Sequence, residues 1–290
     1  MFATRAQPVA SVLSAGVQTR NMATLREIQI RLNSIKNIGK ITKSMKMIAS
    51  TKVTKAQRAM ETARSYGAAS SAVYQNAHTA PLEDDNNLFV VSSSDRGLCG
   101  GIHSSVAKAT RKLIAADTND NAGVVVLGDK AKNQMSRSNR SDIKLSFNQI
   151  GKAIPTFAEA SAAADTILTS GIKFDTATVV YNKFISAIAY EATPLKVFSI
   201  EAFKASDNFA AYELDDEVLQ DYNEFLLANN IYWALVEGHA SEMSAKRTAM
   251  ENATKNAGDM VDRLTMTYNR TRQAAITSEL VDIITGASAL

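Results

Sequence analysis

The chain has 290 residues, of which 46% are hydrophobic and only 7% aromatic, enough to bury a sizeable core in one or two domains. The formal net charge is only +3, but basic and acidic residues are unevenly distributed along the chain. Residues 23–64 carry ten Lys and Arg and two acids, whereas residues 205–245 carry nine acids and no base. The single cysteine, Cys99, excludes an internal disulfide and a cysteine-rich metal site, and it favours a reducing compartment. No run of about 18 apolar residues occurs, so no membrane span is predicted.

The first 22 residues differ in composition from the rest of the chain. They contain Arg5 and Arg20 among many Ser, Thr and Ala residues, and no acid occurs before Glu27. This composition is typical of a mitochondrial presequence, with the mature chain starting at Ala23. A disordered tail is the alternative interpretation.

Residues 23–80 predict one long helix, because proline is absent and apolar residues recur every three or four positions. A helix of about 55 residues would be roughly 80 Å long, more than the diameter of a compact domain of this size. Its segment Lys40–Lys55 is strongly basic and without acids. The predicted packing stripe comprises Leu25, Ile28, Leu32, Ile35, Ile38, Ile41, Met45, Ile48, Val53, Ala56, Met60, Ala63 and Tyr66.

Residues 82–203 change to a pattern of alternating strands and helices, which predicts a small α/β domain with a mainly parallel sheet. Helices are predicted over 102–117 and 156–171, with a short basic helix after the second strand. The predicted strands are 88–94, 122–130, 143–150, 177–184 and 191–200.

Residues 208–290 predict a second long helix, again free of proline, with a seam spaced as in a coiled coil. We therefore expect an α/β fold class. In this predicted fold the N- and C-terminal helices, 23–80 and 208–290, form a long antiparallel coiled coil, and a small Rossmann-like α/β domain is inserted between them over 82–203. The seam comprises Val218, Tyr222, Leu226, Tyr232, Leu235, His239, Met243, Met250, Ala253, Ala257, Met260 and Leu264.

The segment SSSDRGLCGG, residues 92–101, follows a strand and opens a helix, which is where phosphate-binding loops occur. It matches neither a P-loop nor GxGxxG, so Gly97, Gly100 and Gly101 are interpreted as a structural turn. Cys99 is predicted to be an inert thiol. The three histidines lack metal-ligand spacing, and the acids between 213 and 224 are expected on a solvated or partner-facing surface. No catalytic residue, cofactor or metal is expected.

The basic helix needs a counter-charge outside itself, and three functions are compatible with it. It could face an acidic protein surface. A nucleotide-handling α/β enzyme with coiled-coil arms is the alternative, resting on the loop from Gly97 to Gly101. A nucleic-acid-binding coiled coil is a weaker option, because the basic stretch has no interleaved aromatic residues; we expect no nucleic acid partner.

Three segments resemble the gamma subunit of F-type ATP synthases. ATLREIQIRLNSIKNIGKITKSMKMIASTKV at 23–53 resembles its N-terminal helix, SDRGLCGG at 94–101 its central motif, and two segments at 241–257 and 268–290 its C-terminal helix. The resemblance implies a non-catalytic rotor shaft on the matrix side of the mitochondrial inner membrane. Its implied partners are the alpha3beta3 hexamer, the delta and epsilon stalk subunits and the membrane c-ring.

The resemblance also implies which residues touch the hexamer. Lys43, Met45 and Lys46 fall on the segment that meets an acidic beta-subunit loop and transmits torque. Arg272 and Gln273 match a pair that hydrogen-bonds to another beta-subunit loop. We expect Lys43 and Lys46 to be exposed.

Overall fold

The computed structural model describes residues 24–80, 86–117, 122–209, 212 and 216–289, so the predicted presequence lies outside the described part. The chain divides into two compact units, one formed by residues 38–258 and the other by the ends of the two long helices, 1–37 with 259–290. The elements are α1 (Leu25–Asn76), β1 (Asn87–Ser92), α2 (Ile102–Ala116), β2 (Gly123–Leu127), α3 (Asp129–Met135), β3 (Ile143–Phe147), α4 (Phe157–Thr169), β4 (Thr176–Phe184), β5 (Tyr190–Val197), α5 (Ile200–Lys204) and α6 (Asp216–Ser288).

The five strands form one sheet in the order β3-β2-β1-β4-β5. The pairings among β1, β2, β3 and β4 are parallel, and β5 adds to the edge antiparallel to β4. Helical crossovers are what parallel neighbours require, which explains why the sequence alternates between periods of two and of about 3.6 residues. The mainly parallel α/β domain is confirmed.

Successive strand residues alternate between two hydrophobic clusters. On β1, Leu88 and Val90 belong to the larger cluster, which also contains residues of α4 and α6, whereas Phe89 and Val91 pack with α2 and α3. Each of these four residues is at most 3% exposed. Because successive side chains point to opposite faces, a strand buried on both faces reads as a continuous apolar run.

Within residues 38–258, α1 and α6 pair in antiparallel directions. Tyr74 on α1 hydrogen-bonds Asn223 on α6, while Thr42, earlier in α1, meets Thr254, later in α6. The helix pair with its inserted α/β domain is therefore the fold that the sequence predicts.

The buried seam of α1 matches the predicted stripe only in part: Val53, Ala56, Met60 and Ala63 are buried as predicted. Ile38, Ile41, Ile48 and Tyr66 are 48–58% exposed, so their assignment to the packing face was wrong. Between residues 38 and 52 the buried positions are instead Thr42 and Ala49, whose smaller side chains let the facing helix approach closely. The buried face of α1 from residue 38 to its end comprises Thr42, Ala49, Val53, Ala56, Met60, Ala63, Gly67 and Tyr74.

The second long helix starts later than predicted. Residues 205–209 form turns after α5, and α6 begins at Asp216 rather than near Asn208. Most of its predicted seam within residues 38–258 is buried or half-buried, but Val218 is 50% exposed. Ile200 also begins α5 instead of ending the last strand.

The unit formed by the helix ends contains the start of α1 and the end of α6. Thr24 and Glu27 form reciprocal side-chain to backbone bonds, a capping box that explains why α1 starts here. Ile28 and Leu32 are buried, while the last turns of α6 expose large apolar residues such as Leu280 and Ile283. No helix in the described part of the chain is long and apolar enough to cross a membrane.

Candidate functional site: a basic groove within residues 38–258

Residues of the predicted contact segment of α1 line a groove of about 620 Å³, hereafter the basic groove. Three parts of the chain form it: the middle of α1, the middle of α6, and loops at the carboxyl edge of the sheet, after β1 and between β3 and α4. Its lining residues are Met45, Ile48, Ala49, Lys52, Lys55, Arg96, Gly151, Lys152, Ala153, Ile154, His239, Met243 and Lys246.

The groove has an apolar floor and a cationic rim. Met45, Ile48 and Met243 supply much of the floor, whereas the charged lining residues are all Lys or Arg and none is an acid. Four of the five cations are exposed, and Lys246 is half-buried. Like charges around an apolar floor create a positive potential that attracts an acidic partner.

The pKa of His239, which lines the groove, is lowered by burial and by the neighbouring cations. Burial, followed by the charges of Lys52, Arg96 and Lys246, lowers the pKa of His239 to about 4. Its imidazole is therefore neutral at physiological pH, and the positive charge of the groove resides on lysine and arginine side chains alone.

The predicted contact residues on α1 divide into different environments. Met45 is half-buried in the floor of the groove. Lys43 is exposed and makes no ion pair with any residue in the described ranges. Lys46 instead binds Glu251 on α6 at 2.7 Å, with side-chain exposures of 36% and 53%. Part of the expected external charge is thus balanced within the chain.

The predicted glycine turn has one position that requires glycine. Gly100 has a φ of +67°, and neighbouring Leu98 also has a positive φ, +64°. A Cβ at Gly97 or Gly101 would meet neighbours only at 3.6 Å and 3.9 Å, which is ordinary contact. The loop therefore turns sharply just before α2 begins at Ile102.

Cys99 lies in this turn, and its thiol sulfur is 3.1 Å from Nε2 of His103. Such a pair could be a nucleophile with its base, but Cys99 is 2% exposed. Burial raises the pKa of the Cys99 thiol to about 11 and lowers the pKa of His103. A buried, protonated thiol is not a working nucleophile.

Arg272 and Gln273 lie on α6 in the unit formed by the helix ends. Both side chains are exposed, and within the described ranges no ion pair involves Arg272. They are accessible to a partner, as the sequence predicts, but nothing in this unit fixes their direction.

Sequence reasoning missed Lys152 and Ile154 in the groove. They lie in the loop between β3 and α4, and the fold brings that loop to α1 and α6. A lysine in a polar loop carries no signal of such a neighbour. Lys152, Ile154 and Arg96 all lie in loops at the same edge of the sheet. A correct strand order could have indicated that these loops are neighbours.

These features define a class of protein with a long antiparallel helix pair, an inserted α/β domain and an exposed cationic surface. The family model described as ATP synthase matches residues 24–290. The chain is 50% identical over 293 residues to the mitochondrial ATP synthase subunit gamma of Yarrowia lipolytica, covering 100% of both chains. It is 47% identical to the rat mitochondrial subunit, covering 92% of this chain and 100% of that one.

Solved structures agree in fold. A chain of the Tetrahymena thermophila mitochondrial ATP synthase central stalk and c-ring aligns with a TM-score of 0.62 at 26% identity, covering 73% of this chain and 99% of that one. A chain of the Euglena gracilis OSCP/F1/c-ring assembly aligns with a TM-score of 0.74 at 20% identity, covering 91% and 94%.

The chain belongs to the ATP synthase gamma-subunit family, in its mitochondrial form. It is a central-stalk subunit and is not itself catalytic. The alternative of a nucleotide-handling enzyme is therefore set aside.

Proposed function

We propose that this chain is the shaft that turns inside the alpha3beta3 hexamer, and that the basic groove with Lys43 is where it presses on the beta subunits. Each beta subunit would offer an acidic, partly apolar loop to this surface. As the shaft turns, the surface meets three such loops in succession and favours a different nucleotide affinity in each.

The observation that carries this proposal is the charge of the groove. Lys52, Lys55, Arg96, Lys152 and Lys246 surround an apolar floor without any lining carboxylate. An acidic loop with an apolar tip would complement both parts, since its carboxylates would meet the rim and its apolar side chains the floor. Differential contact of this kind is how a ligand shifts a conformational equilibrium.

A second contact is proposed at Arg272 and Gln273. Both are exposed, and an arginine can form two parallel charge-assisted hydrogen bonds to one carboxylate. Beyond Arg272 the helix has no base, only Glu279 and Asp282, and it exposes apolar residues. The C-terminal end of α6 could therefore rotate against an apolar surface of the hexamer without forming strong ion pairs.

The remaining partners are those of the family. We propose that the α/β domain binds the delta and epsilon central-stalk subunits and reaches the c-ring, so that proton-driven rotation of the ring drives the shaft. The protein would then be held at the matrix side of the inner membrane by these partners, after removal of residues 1–22 as a presequence.

The test is reconstitution of the chain with alpha and beta subunits and observation of a bead fixed to the α/β domain. Wild-type complexes should rotate during ATP hydrolysis. Lys55→Glu with Lys152→Glu should lower the torque, because both reversed charges line the groove. Arg137→Glu with Arg140→Glu is the matched control: it changes the charge equally at exposed residues that do not line the groove.

Hydrolysis without bead rotation in the wild type would contradict the shaft function itself. Equal torque in the groove variant, the control and the wild type would contradict the groove contact while leaving the shaft function standing.

A further inference from the structure

A second buried cluster lies between the turn after β1, the start of α2 and the middle of α6. Cys99, His103 and Glu242 each offer one ligand atom, and these atoms lie within 4.8 Å of one another. The three residues are 2%, 7% and 3% exposed. A thiol, an imidazole and a carboxylate in this arrangement form a typical donor set for a transition metal ion.

Glu242 gives independent support for a ligand. Its Oε1 is buried and has no hydrogen-bond partner in the described part of the chain. Leaving a buried carboxylate oxygen without a donor is costly, and native proteins rarely do so without an ion or water. The hydroxyl of Ser94 donates a hydrogen bond to the same carboxylate, but Oε1 remains without a donor.

The contacts of His103 allow the tautomer that a metal-binding histidine needs, although a metal would replace the hydrogen bond between Nε2 and the carbonyl oxygen of Arg96. Its Nδ1 lies 2.9 Å from Oγ of Ser93, and its Nε2 faces the sulfur of Cys99 at 3.1 Å. When Nδ1–H donates to Ser93, the lone pair of Nε2 is free for a metal, and a second hydrogen bond of this kind orients most ligating histidines. In the other tautomer, Nε2–H donates to the carbonyl oxygen of Arg96 at 2.9 Å.

The cluster adjoins a small cavity of about 20 Å³ lined by both His103 and Glu242, together with Ser92, Ser93 and Ser94. A cavity of roughly 10–15 Å³ by this measure is enough for one water molecule. A water there would have hydroxyl partners and would lie beside two of the three ligand residues. Such a water could supply the fourth position of a tetrahedral site.

We propose that Cys99, His103 and Glu242 bind one zinc ion, with a water in the adjoining cavity as the fourth ligand. Zinc bonds of about 2.0–2.3 Å to nitrogen, oxygen and sulfur place tetrahedral ligand atoms about 3.2–3.8 Å apart. The Cys99–His103 distance is close to this range, and a side-chain shift of about 1 Å closes the widest gap.

The charges balance when the ion binds. Cys99 loses its proton to solvent, and the resulting thiolate and the Glu242 carboxylate together neutralise a divalent ion. The cations facing the cluster are Lys130 and Lys246, with Arg96 near Glu242, and Asp95 is the nearby acid. The lysines oppose the ion but favour the thiolate that it requires.

The consequence is mechanical. The three ligands come from the turn after β1, the first turn of α2 and the middle of α6. A bound zinc would fasten the inserted domain to the long helix, at the edge of the sheet where the basic groove also lies. This inference does not depend on the groove contact proposed above.

The experiment uses cobalt as a spectroscopic substitute for zinc in the purified full chain, folded with either metal present. Cys99 is the only cysteine, so a thiolate-to-cobalt charge-transfer band can arise from no other residue. We expect this band in the wild type, its loss in Cys99→Ser, and about one retained zinc per chain by mass spectrometry after dialysis.

Two further variants keep the test decisive if Cys99→Ser does not fold. Glu242→Gln retains the thiol and should retain no zinc after dialysis, whereas His78→Asn, which changes an exposed histidine away from the cluster, should retain it fully. A wild type without the band, or zinc retained equally by the wild type and Glu242→Gln, would overturn the proposal.

Discussion

The Arg64 guanidinium on α1 donates to Oε1 of Glu237 on α6 at 2.6 Å, and the Glu237 side chain is fully buried. The same carboxylate accepts from the backbone amide of Phe184 at 3.1 Å and, through Oε2, from the indole of Trp233 at 2.6 Å. Arg64 also donates to the carbonyl oxygen of Phe184. One carboxylate therefore joins both long helices to the end of β4.

Replacing Glu237 by alanine should destabilise the chain by about 2–4 kcal/mol, because the Trp233 indole and the Phe184 amide lose their acceptor inside the protein, whereas the Arg64 side chain is 39% exposed and can turn to water. Urea unfolding followed by tryptophan fluorescence measures this directly, since Trp233 is the only tryptophan and contacts Glu237. Glu251→Ala is the control: it removes the exposed ion pair with Lys46 and should leave the midpoint nearly unchanged. Equal shifts of the urea midpoint in both variants would show that Glu237 stabilises the chain no more than the exposed ion pair does.

The variant Gly67→Ala should destabilise the helix pair, although alanine is normally the better helix former. A Cβ at position 67 would lie 2.6 Å from ring atom Cε3 of Trp233 and 2.8 Å from Cδ2, so a rigid indole must move. We expect a net cost of about 1–3 kcal/mol and altered tryptophan fluorescence.

Gly258→Ala is the matched control for this substitution. Gly258 also lies within a helix, but a Cβ there meets nothing within 4 Å. Alanine should therefore stabilise the chain by about 0.5–1 kcal/mol. If Gly67→Ala stabilised the protein as well, the close approach of α1 to Trp233 would be wrong.

The elements of this fold could be predicted from sequence because their signals are local. The strands are short apolar runs between turns, and the long helices have unbroken three-and-four spacing. The face of α1 could not be predicted in the same way, because Ile41 and Ile48 have helical spacing yet are exposed, whereas Thr42 and Ala49 are buried. The close approach of a partner helix selects small residues, and hydrophobicity alone does not report this.

The groove and the buried cluster could not be assembled from sequence for a related reason. Arg96, Lys152 and Lys246 come from separate elements, and only the strand order and the register of α6 bring them together. Glu242 reads as an acid near a helical seam, and nothing local indicates that it meets Cys99. Charge patterning still identified the basic segment of α1 correctly as a surface, although it does not predict the ion pair between Lys46 and Glu251.

Lowering the pH should destabilise the chain through His239. Its pKa falls from the usual 6.5 to about 4 on folding, chiefly because of burial and then because of Lys52, Arg96 and Lys246. The unfolded state thus binds the proton more readily, and stability present above about pH 6.5 is lost as the pH falls to 4, amounting to about 3 kcal/mol.

The comparison with His239→Gln isolates this contribution. Glu242 acts oppositely, because burial raises its pKa to about 7 and the folded state then binds the extra proton. Unfolding free energies measured at several pH values should therefore fall more steeply below pH 6.5 in the wild type than in His239→Gln, with metal removed by a chelator. Parallel curves would show that His239 is not held neutral by its surroundings.

The ion pair between Lys46 and Glu251 allows the torque contact to be separated from the helix pairing. Lys46→Glu alone places two carboxylates at the present 2.7 Å contact and should loosen the pair as well as remove a cation. Adding Glu251→Lys restores the attraction with the charges exchanged between α1 and α6. We expect the double variant to unfold at the wild-type midpoint.

Lys43→Glu, at an exposed position without an ion pair in the described ranges, should also keep the fold while lowering the torque of a reconstituted complex. If the double variant lost as much torque as Lys43→Glu, then Lys46 would contact the hexamer in spite of its partner on α6; full torque in both would show that neither lysine does.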